Sequence, residues 1–148
     1  MYKRQGVIDG YGNNPEANAQ SFTNGWFRTG DQGTLDPDRY LSLIGRIKEM
    51  INRGGEKIAP REIDEVLLQH PSVSEAVAFG SPHPTWGEEV GAAVVLKSPV
   101  TEKELIAFAR ERLADYKVPK KLFIVERIPR TATGKIQRRA VASSLNPS

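Results

Sequence analysis

The chain has 148 residues, of which 39% are hydrophobic and 26% charged, and a net charge of +3. That is ordinary for a soluble globular protein, and enough for one domain with its own core or for a small domain plus part of another. With no cysteine there is no disulfide, thiolate metal site or cysteine nucleophile, and two histidines argue against a histidine-rich metal centre. No apolar run approaches the ~20 residues of a membrane helix. Met1–Gln5 is charged with no apolar stretch behind it, unlike a secretory signal. These features suit a soluble intracellular protein, with the cytoplasm as the expected compartment.

Residues 1–24 read as loop and turn. Gly10–Pro15 is dense in turn formers, and the Pro15-Glu-Ala-Asn-Ala run predicts a short helix. Trp26-Phe27 and Tyr40–Ile44 favour strands and read as one hairpin joined through Asp36-Pro37-Asp38. In Leu43–Pro60, the apolar residues Ile44, Ile47, Met50 and Ile51 thread through Arg46, Lys48 and Glu49. Gly54-Gly55 then predicts a tight turn between two strand-like runs, because glycine accepts positive φ.

From Ile58 the period becomes helical. Pro60 suits a first turn, Glu62, Asp64 and Glu65 suit the helix dipole, and Ile63, Val66, Leu67 and His70 form one stripe that Pro71 ends. His70 on that stripe reads as a packed or capping histidine. Val73–Phe79 and Val90–Leu96 read as strands, separated by a structural loop from Gly80 to Glu89 whose His83 and Trp86 are candidates for ligand contact. Thr101-Glu-Lys-Glu104 is a capping box that opens a helix with Leu105, Phe108, Ala109 and Leu113 on one face. Leu122–Val125 reads as a third short strand, and a last helix after Ile136 turns Val141 and Leu145 inward. The expected fold is α+β: a small domain with a roughly three-stranded sheet flanked by helices, plus a β-hairpin.

Two stretches point to chemistry of their own. Thr29-Gly30-Asp31 places a carboxylate beside a glycine at a strand end, where it can accept hydrogen bonds from both hydroxyls of a ribose. The alternative is a turn aspartate capping its own backbone. Thr131-Ala-Thr-Gly134-Lys135 is a small-residue loop with an ammonium at its exit, suited to charge on phosphate or carboxylate oxygens. The alternative there is a solvated basic face. It is not the phosphate loop of NTPases, because the G-x-x-x-x-G-K-[ST] spacing is absent and Ile136 follows the lysine. Lys117–Arg139 holds eight of the 21 basic residues against one of the 18 acids, a basic tail on an acidic body. Such a tail suits a polyanion: nucleotide phosphates, a CoA phosphate or nucleic acid.

In order, Trp26–Asp31, Leu43–Pro60 and Pro129–Lys135 resemble the closing third of an acyl-adenylate-forming enzyme. That superfamily holds acyl-CoA synthetases, luciferases and peptide-synthetase adenylation domains, and the resemblance runs from about Val7 to Leu145. It implies an ATP-dependent acid–CoA ligase that makes an acyl-adenylate and passes it to CoA by rotating a small C-terminal domain. It also implies that residues 1–45 end the N-terminal adenylating domain and that residues 46–148 are the mobile C-terminal domain.

The resemblance assigns roles residue by residue. Asp31 grips the ribose of ATP, and Arg46 contacts the nucleotide near its ribose and phosphate. Lys135, in a setting matched by Pro129, Gly134, Ile136 and Arg138, is the catalytic lysine that bridges the acid's carboxylate and ATP. Lys48, just after Gly45-Arg46-Ile47, is the hinge, and Gly54, Gly55 and Glu56 line the channel for the pantetheine arm of CoA. No metal ligand is implied among these residues. Mg2+ is expected through the N-terminal domain, whose phosphate loop, acid pocket and magnesium-binding glutamate are not found in this sequence.

The chain is accordingly expected to be a fragment or one half of a split enzyme, inactive alone, with Met1–Gln5 a non-native or truncated start. The G-W-F-x-T-G-D and G-G-E-x-I-x-P forms lean toward CoA ligases of medium-chain, aromatic, dicarboxylic or oxalate-like acids. The alternatives are a peptide-synthetase adenylation domain, a luciferase-like enzyme and, from another class, a small basic nucleic-acid-binding module. An exposed Lys135 would also be open to a lysine acetyltransferase, which would remove its charge.

Overall fold

The structure, a computed structural model, describes residues 6–146. The Met1–Gln5 start discussed above lies outside the described residues. The chain divides into two compact units, Met1–Lys48 and Glu49–Ser148.

In the first unit α1 (Pro15–Ser21) begins at Asn14, whose side chain accepts the Ala17 N–H, with proline in the first turn where no N–H is needed. β1 (Phe22–Thr23) and β2 (Trp26–Phe27) form an antiparallel pair around Asn24-Gly25, both at positive φ (51° and 75°). β3 (Asp31–Leu35) pairs with β4 (Leu41–Arg46), and Asp36 Oδ1 accepts the Tyr40 N–H to close the connection. This corrects the expected pairing of Trp26-Phe27 with the run after Tyr40. Asn-Gly is a strong two-residue hairpin former, so it folds Trp26-Phe27 back on its immediate neighbours, and Asp31–Leu35 partners β4 instead.

The second unit carries a sheet in the order β6-β5-β8-β7, with β9 also on β8. β7 (Val73–His83) and β8 (Gly87–Leu96) are the long antiparallel pair, and β9 (Lys121–Ile124) runs parallel to β8 along Gly91–Val94. The β5 (Ile51–Arg53) and β6 (Glu56–Ile58) hairpin meets the β8 ladder at Arg53 opposite Gly87. The expected three strands plus a hairpin are therefore present. The expected loop from Gly80 to Glu89 is not: pairing continues through Ser81↔Glu89, Pro82↔Glu88 and His83↔Gly87, leaving only residues 84–86 as the turn. Pro82 is tolerated because β7 is the end strand of the sheet.

Strand alternation sorts the sheet into two faces. Ala76, Ala78, Ala92 and Val94 share a core with Ile63 and Leu67 of α2 (Pro60–Leu68) and with Leu105 and Ala109 of α3 (Glu102–Arg110). Val77, Phe79 and Ala93 share a second with Val141 of α4 (Arg138–Leu145) and with Ile128. The Thr101/Glu104 capping box forms as expected. His70 packs edge-on against Phe108, and its Nδ1 accepts the Ser72 N–H. No helix among the described residues is long and apolar enough to cross a membrane.

Candidate functional site

Gly30 takes φ +75° and turns the chain so that Asp31 becomes the first residue of β3. Thr29 Oγ1 accepts the Asp31 N–H at 3.2 Å, and the Gly30 carbonyl accepts the Ile47 N–H at 2.9 Å. The β3–β4 register sets Asp31 opposite Arg46, and their side chains meet with Nε 2.9 Å from Oδ1. Arg46 is half exposed and Asp31 about a quarter exposed, so the pair faces an open cleft of about 850 Å³ that Thr29 and Lys48 also line. A pair this open adds ~0–1 kcal/mol to stability. Its chemical value is an acceptor-only carboxylate beside a planar set of donors, a fit to ribose hydroxyls and phosphate oxygens.

The β5–β6 turn holds Gly54 at φ +57° and Gly55 at φ +98°, while Ile51 and Ile58 at its base are buried. Gly54 donates its N–H to the Trp86 carbonyl at 2.8 Å, and a Cβ there would stand 2.7 Å from the indole ring. Nothing lies within 4 Å of where a Cβ on Gly55 would point, and Glu56 is exposed. The Arg53 guanidinium lies 5.0 Å from the Trp86 ring, and its Nε meets Glu89 at 2.7 Å. Glu88 accepts the Asn52 N–H at 2.6 Å. The glycine hairpin is thus stitched to the β7–β8 tip. Partial burial works to raise the Glu89 carboxyl, but Arg53, the Val90 N–H and Lys120 outweigh it and hold Glu89 below the ordinary carboxylate range.

Lys135 stands exposed at the end of a closed turn. Arg130 and Ile136 bridge its neck. Thr131 donates its N–H to the Lys135 carbonyl at 2.8 Å, Gly134 donates to the Thr131 carbonyl at 2.9 Å, and Thr131 Oγ1 accepts the Lys135 N–H at 3.1 Å. Gly134 sits at φ +80°, where a side chain would be strained. Arg130 reaches across to the Gly134 carbonyl at 3.0 Å and pairs with Glu75 of β7.

The structure brings Asp31 and Arg46 together, with Lys48 on the same cleft, and puts Gly54, Gly55 and Glu56 in one turn. Lys135 occupies a loop of its own. Asp64 is the residue sequence reasoning passed over. Sequence alone makes it one of three acids suited to the dipole of α2, yet it is buried, with Oδ1 accepting the Ala78 N–H at 2.6 Å and Oδ2 2.5 Å from Arg138 Nη2. Burial pushes its carboxyl above the ordinary range against the pull of Arg138 and the Ala78 N–H. Its spacing from Pro60 and Leu67 (i, i+4, i+7) was the available signal: an acid on a buried stripe. Among the described residues, no cluster of three or more His, Cys, Asp or Glu could hold a metal ion.

Comparison with known proteins gives a consistent picture. Residues 62–135 match the family described as "AMP-binding enzyme C-terminal domain". An oxalate–CoA ligase of Arabidopsis thaliana is 57% identical over 138 residues, covering 92% of this chain and 27% of that protein. An oxalate–CoA ligase of Saccharomyces cerevisiae is 51% identical over 148 residues, covering 97% of this chain and 27% of that protein. The chain thus spans about a quarter of the length of the curated relatives it matches. Among solved structures, the o-succinylbenzoate CoA synthetase of Bacillus subtilis in complex with its acyl-adenylate intermediate superposes with a TM-score of 0.90 at 42% identity. That match covers 94% of this chain and 29% of the synthetase.

Proposed function

This chain belongs to the AMP-binding enzyme C-terminal domain family, and on that footing we propose that it is the C-terminal part of an ATP-dependent acid–CoA ligase. In the first step a carboxylate oxygen attacks the α-phosphorus of ATP, forming a C–O–P link and expelling pyrophosphate. In the second, the CoA thiol loses its proton, its sulfur bonds to the acyl carbon, and AMP leaves with the C–O bond electrons.

Asp31 accepts hydrogen bonds from the ribose hydroxyls and Arg46 donates to nearby nucleotide oxygens. Lys135 stands between the acid's carboxylate and the phosphate, lowering their repulsion as the crowded transition state forms. That task is electrostatic and needs no base partner. Lys48 is the hinge about which the C-terminal domain turns between the two steps. After rotation Gly54, Gly55 and Glu56 flank the pantetheine arm, and the open space at Gly55 leaves room for it. Residues 1–45 end the N-terminal domain, which supplies the acid pocket and the Mg2+ site. The isolated chain does not turn over, and the whole enzyme is cytoplasmic. Exposure leaves Lys135 within reach of an acetyltransferase.

The observation that carries this reading is the Asp31–Arg46 pair at the mouth of a cleft, in a chain of this family. The two relatives named above make oxalate the first acid to try. In the full-length protein, acid-dependent ATP–pyrophosphate exchange should be measurable. Asp31→Ala should raise the KM for ATP roughly 10–100-fold, the loss of hydrogen bonds to a charged group. Absence of exchange with every acid in a panel of dicarboxylic, aromatic and medium-chain acids would sink the proposal.

A further inference from the structure

Arg138 is the first residue of α4, three positions after Lys135, and each of its three guanidinium nitrogens has a partner. Nη2 lies 2.5 Å from Asp64 Oδ2 on α2, Nη1 donates to the Ala78 carbonyl on β7 at 3.0 Å, and Nε lies 3.3 Å from Glu49 Oε2. Asp64 closes the ring by accepting the Ala78 N–H. The side chains of Arg138 and Asp64 are only 17% and 10% exposed.

A buried ion pair stabilises little beyond what apolar side chains of the same volume would, and its best-attested use is to fix one arrangement over others. The arrangement fixed here is that of the Lys135 loop. Its entry is tied to β7 through Arg130 and Glu75, and its exit through Arg138 and the Ala78 carbonyl. Those anchor residues are three apart on one strand, roughly 10 Å. Two separated anchors remove the swing that a loop held by one neck retains. The third contact, Glu49, is the first residue of the second unit and directly follows Lys48. The guanidinium reaches these three acceptors from three separate nitrogens; a lysine ammonium, with all its N–H groups on one nitrogen, cannot match that spread.

We propose that Arg138 is a positioning residue for Lys135: it fastens the loop's exit, α2, β7 and Glu49 into one rigid body. Chain flexing at residue 48 then stops at Glu49, and the ammonium is carried without slack. The catalytic part of this inference rests on the proposed function; the fastening itself does not.

The test uses the full-length protein with Arg138→Lys, Asp64→Asn and Glu49→Gln, and Lys135→Ala as control. Arg138→Lys should lower kcat for ATP–pyrophosphate exchange roughly 10–100-fold, while the KM for ATP and thioester formation from supplied acyl-adenylate change less than about twofold. Asp64→Asn and Glu49→Gln, which keep the arginine, should shift exchange the same way by less. Amide hydrogen exchange at residues 131–136 should quicken in Arg138→Lys with the β7 and β8 amides unchanged. Equal loss in both half-reactions, or intact exchange kinetics in all three variants while Lys135→Ala abolishes them, would overturn the inference. Should Lys135→Ala leave catalysis intact, the proposed function fails instead, and the amide exchange alone decides the fastening. Unchanged protection at 131–136 would refute it.

Discussion

The two units solve the folding problem differently. From Glu49 on, the chain buries two clusters on opposite faces of one sheet, with Ile58, Ile63, Leu67, Val77, Val90 and Leu105 fully out of water. Every buried apolar residue among those described lies in that unit. Before it, Leu35, Tyr40, Leu41, Leu43 and Ile47 are each more than half exposed, on a two-stranded ribbon and its continuation. Isolated two-stranded ribbons are marginal in water. The second unit thus buries a core of its own, whereas the first sets out the Asp31–Arg46 pair on strands whose apolar side chains nothing within residues 6–146 covers.

The largest expected effect separates the two directly. Leu67→Ala, at the α2–sheet contact, should cost about 2–5 kcal/mol in urea unfolding of the second unit, while Leu41→Ala should stay within about 0.5 kcal/mol. Matching losses would erase the contrast. In limited proteolysis of the chain, cuts should fall first within residues 6–48, leaving a resistant product from near Glu49. Next comes the glycine hairpin. Gly54→Ala should cost about 1–3 kcal/mol, since it meets both a positive φ and the Trp86 ring, while Gly55→Ala meets only the backbone term. Equal thermal shifts would show that the Trp86 contact carries nothing. Thr101→Ala should remove about 1 kcal/mol with the capping box of α3.

The smallest effect is a pH dependence. The Glu89 carboxyl is held below its ordinary value of ~4.3, so the stability it contributes is present above that pH and lost as pH falls through the lowered folded value. Glu89→Gln should therefore flatten the fall of the melting temperature below about pH 4.5. Asp64 works in the opposite sense. Its raised carboxyl favours the fold below ~3.9, and that contribution is lost as pH rises through the raised value. An unchanged acid limb in Glu89→Gln would rule out the Arg53–Glu89 pair as its source.

Local signals were legible where the physics is local. The capping box at Thr101, Pro60 in a first turn and the Gly54-Gly55 turn each formed as read, while the stripe on α2 kept Ile63 and Leu67 but ended at Leu68, short of His70. The misreadings arose where one signal outranked another. Asn24-Gly25 closed a hairpin that claimed Trp26-Phe27. Gly80 and Pro82, read as loop formers, remained in the ladder because β7 is an end strand. Two facts lay beyond local reading altogether: Trp86 resting on Gly54, and Arg138 reaching Asp64, a pair 74 residues apart. The first depends on contacts between two hairpins, the second on helix packing across a sheet, and neither leaves a spacing in the sequence.

The most direct measurement is the split between half-reactions in full-length Lys135→Ala. The account predicts that acid-dependent ATP–pyrophosphate exchange falls roughly 10²–10³-fold, the usual effect of removing one electrostatic stabiliser, while thioester formation from a supplied acyl-adenylate persists. Equal activity with wild type in both assays would reduce Lys135 to a surface residue and contradict the account.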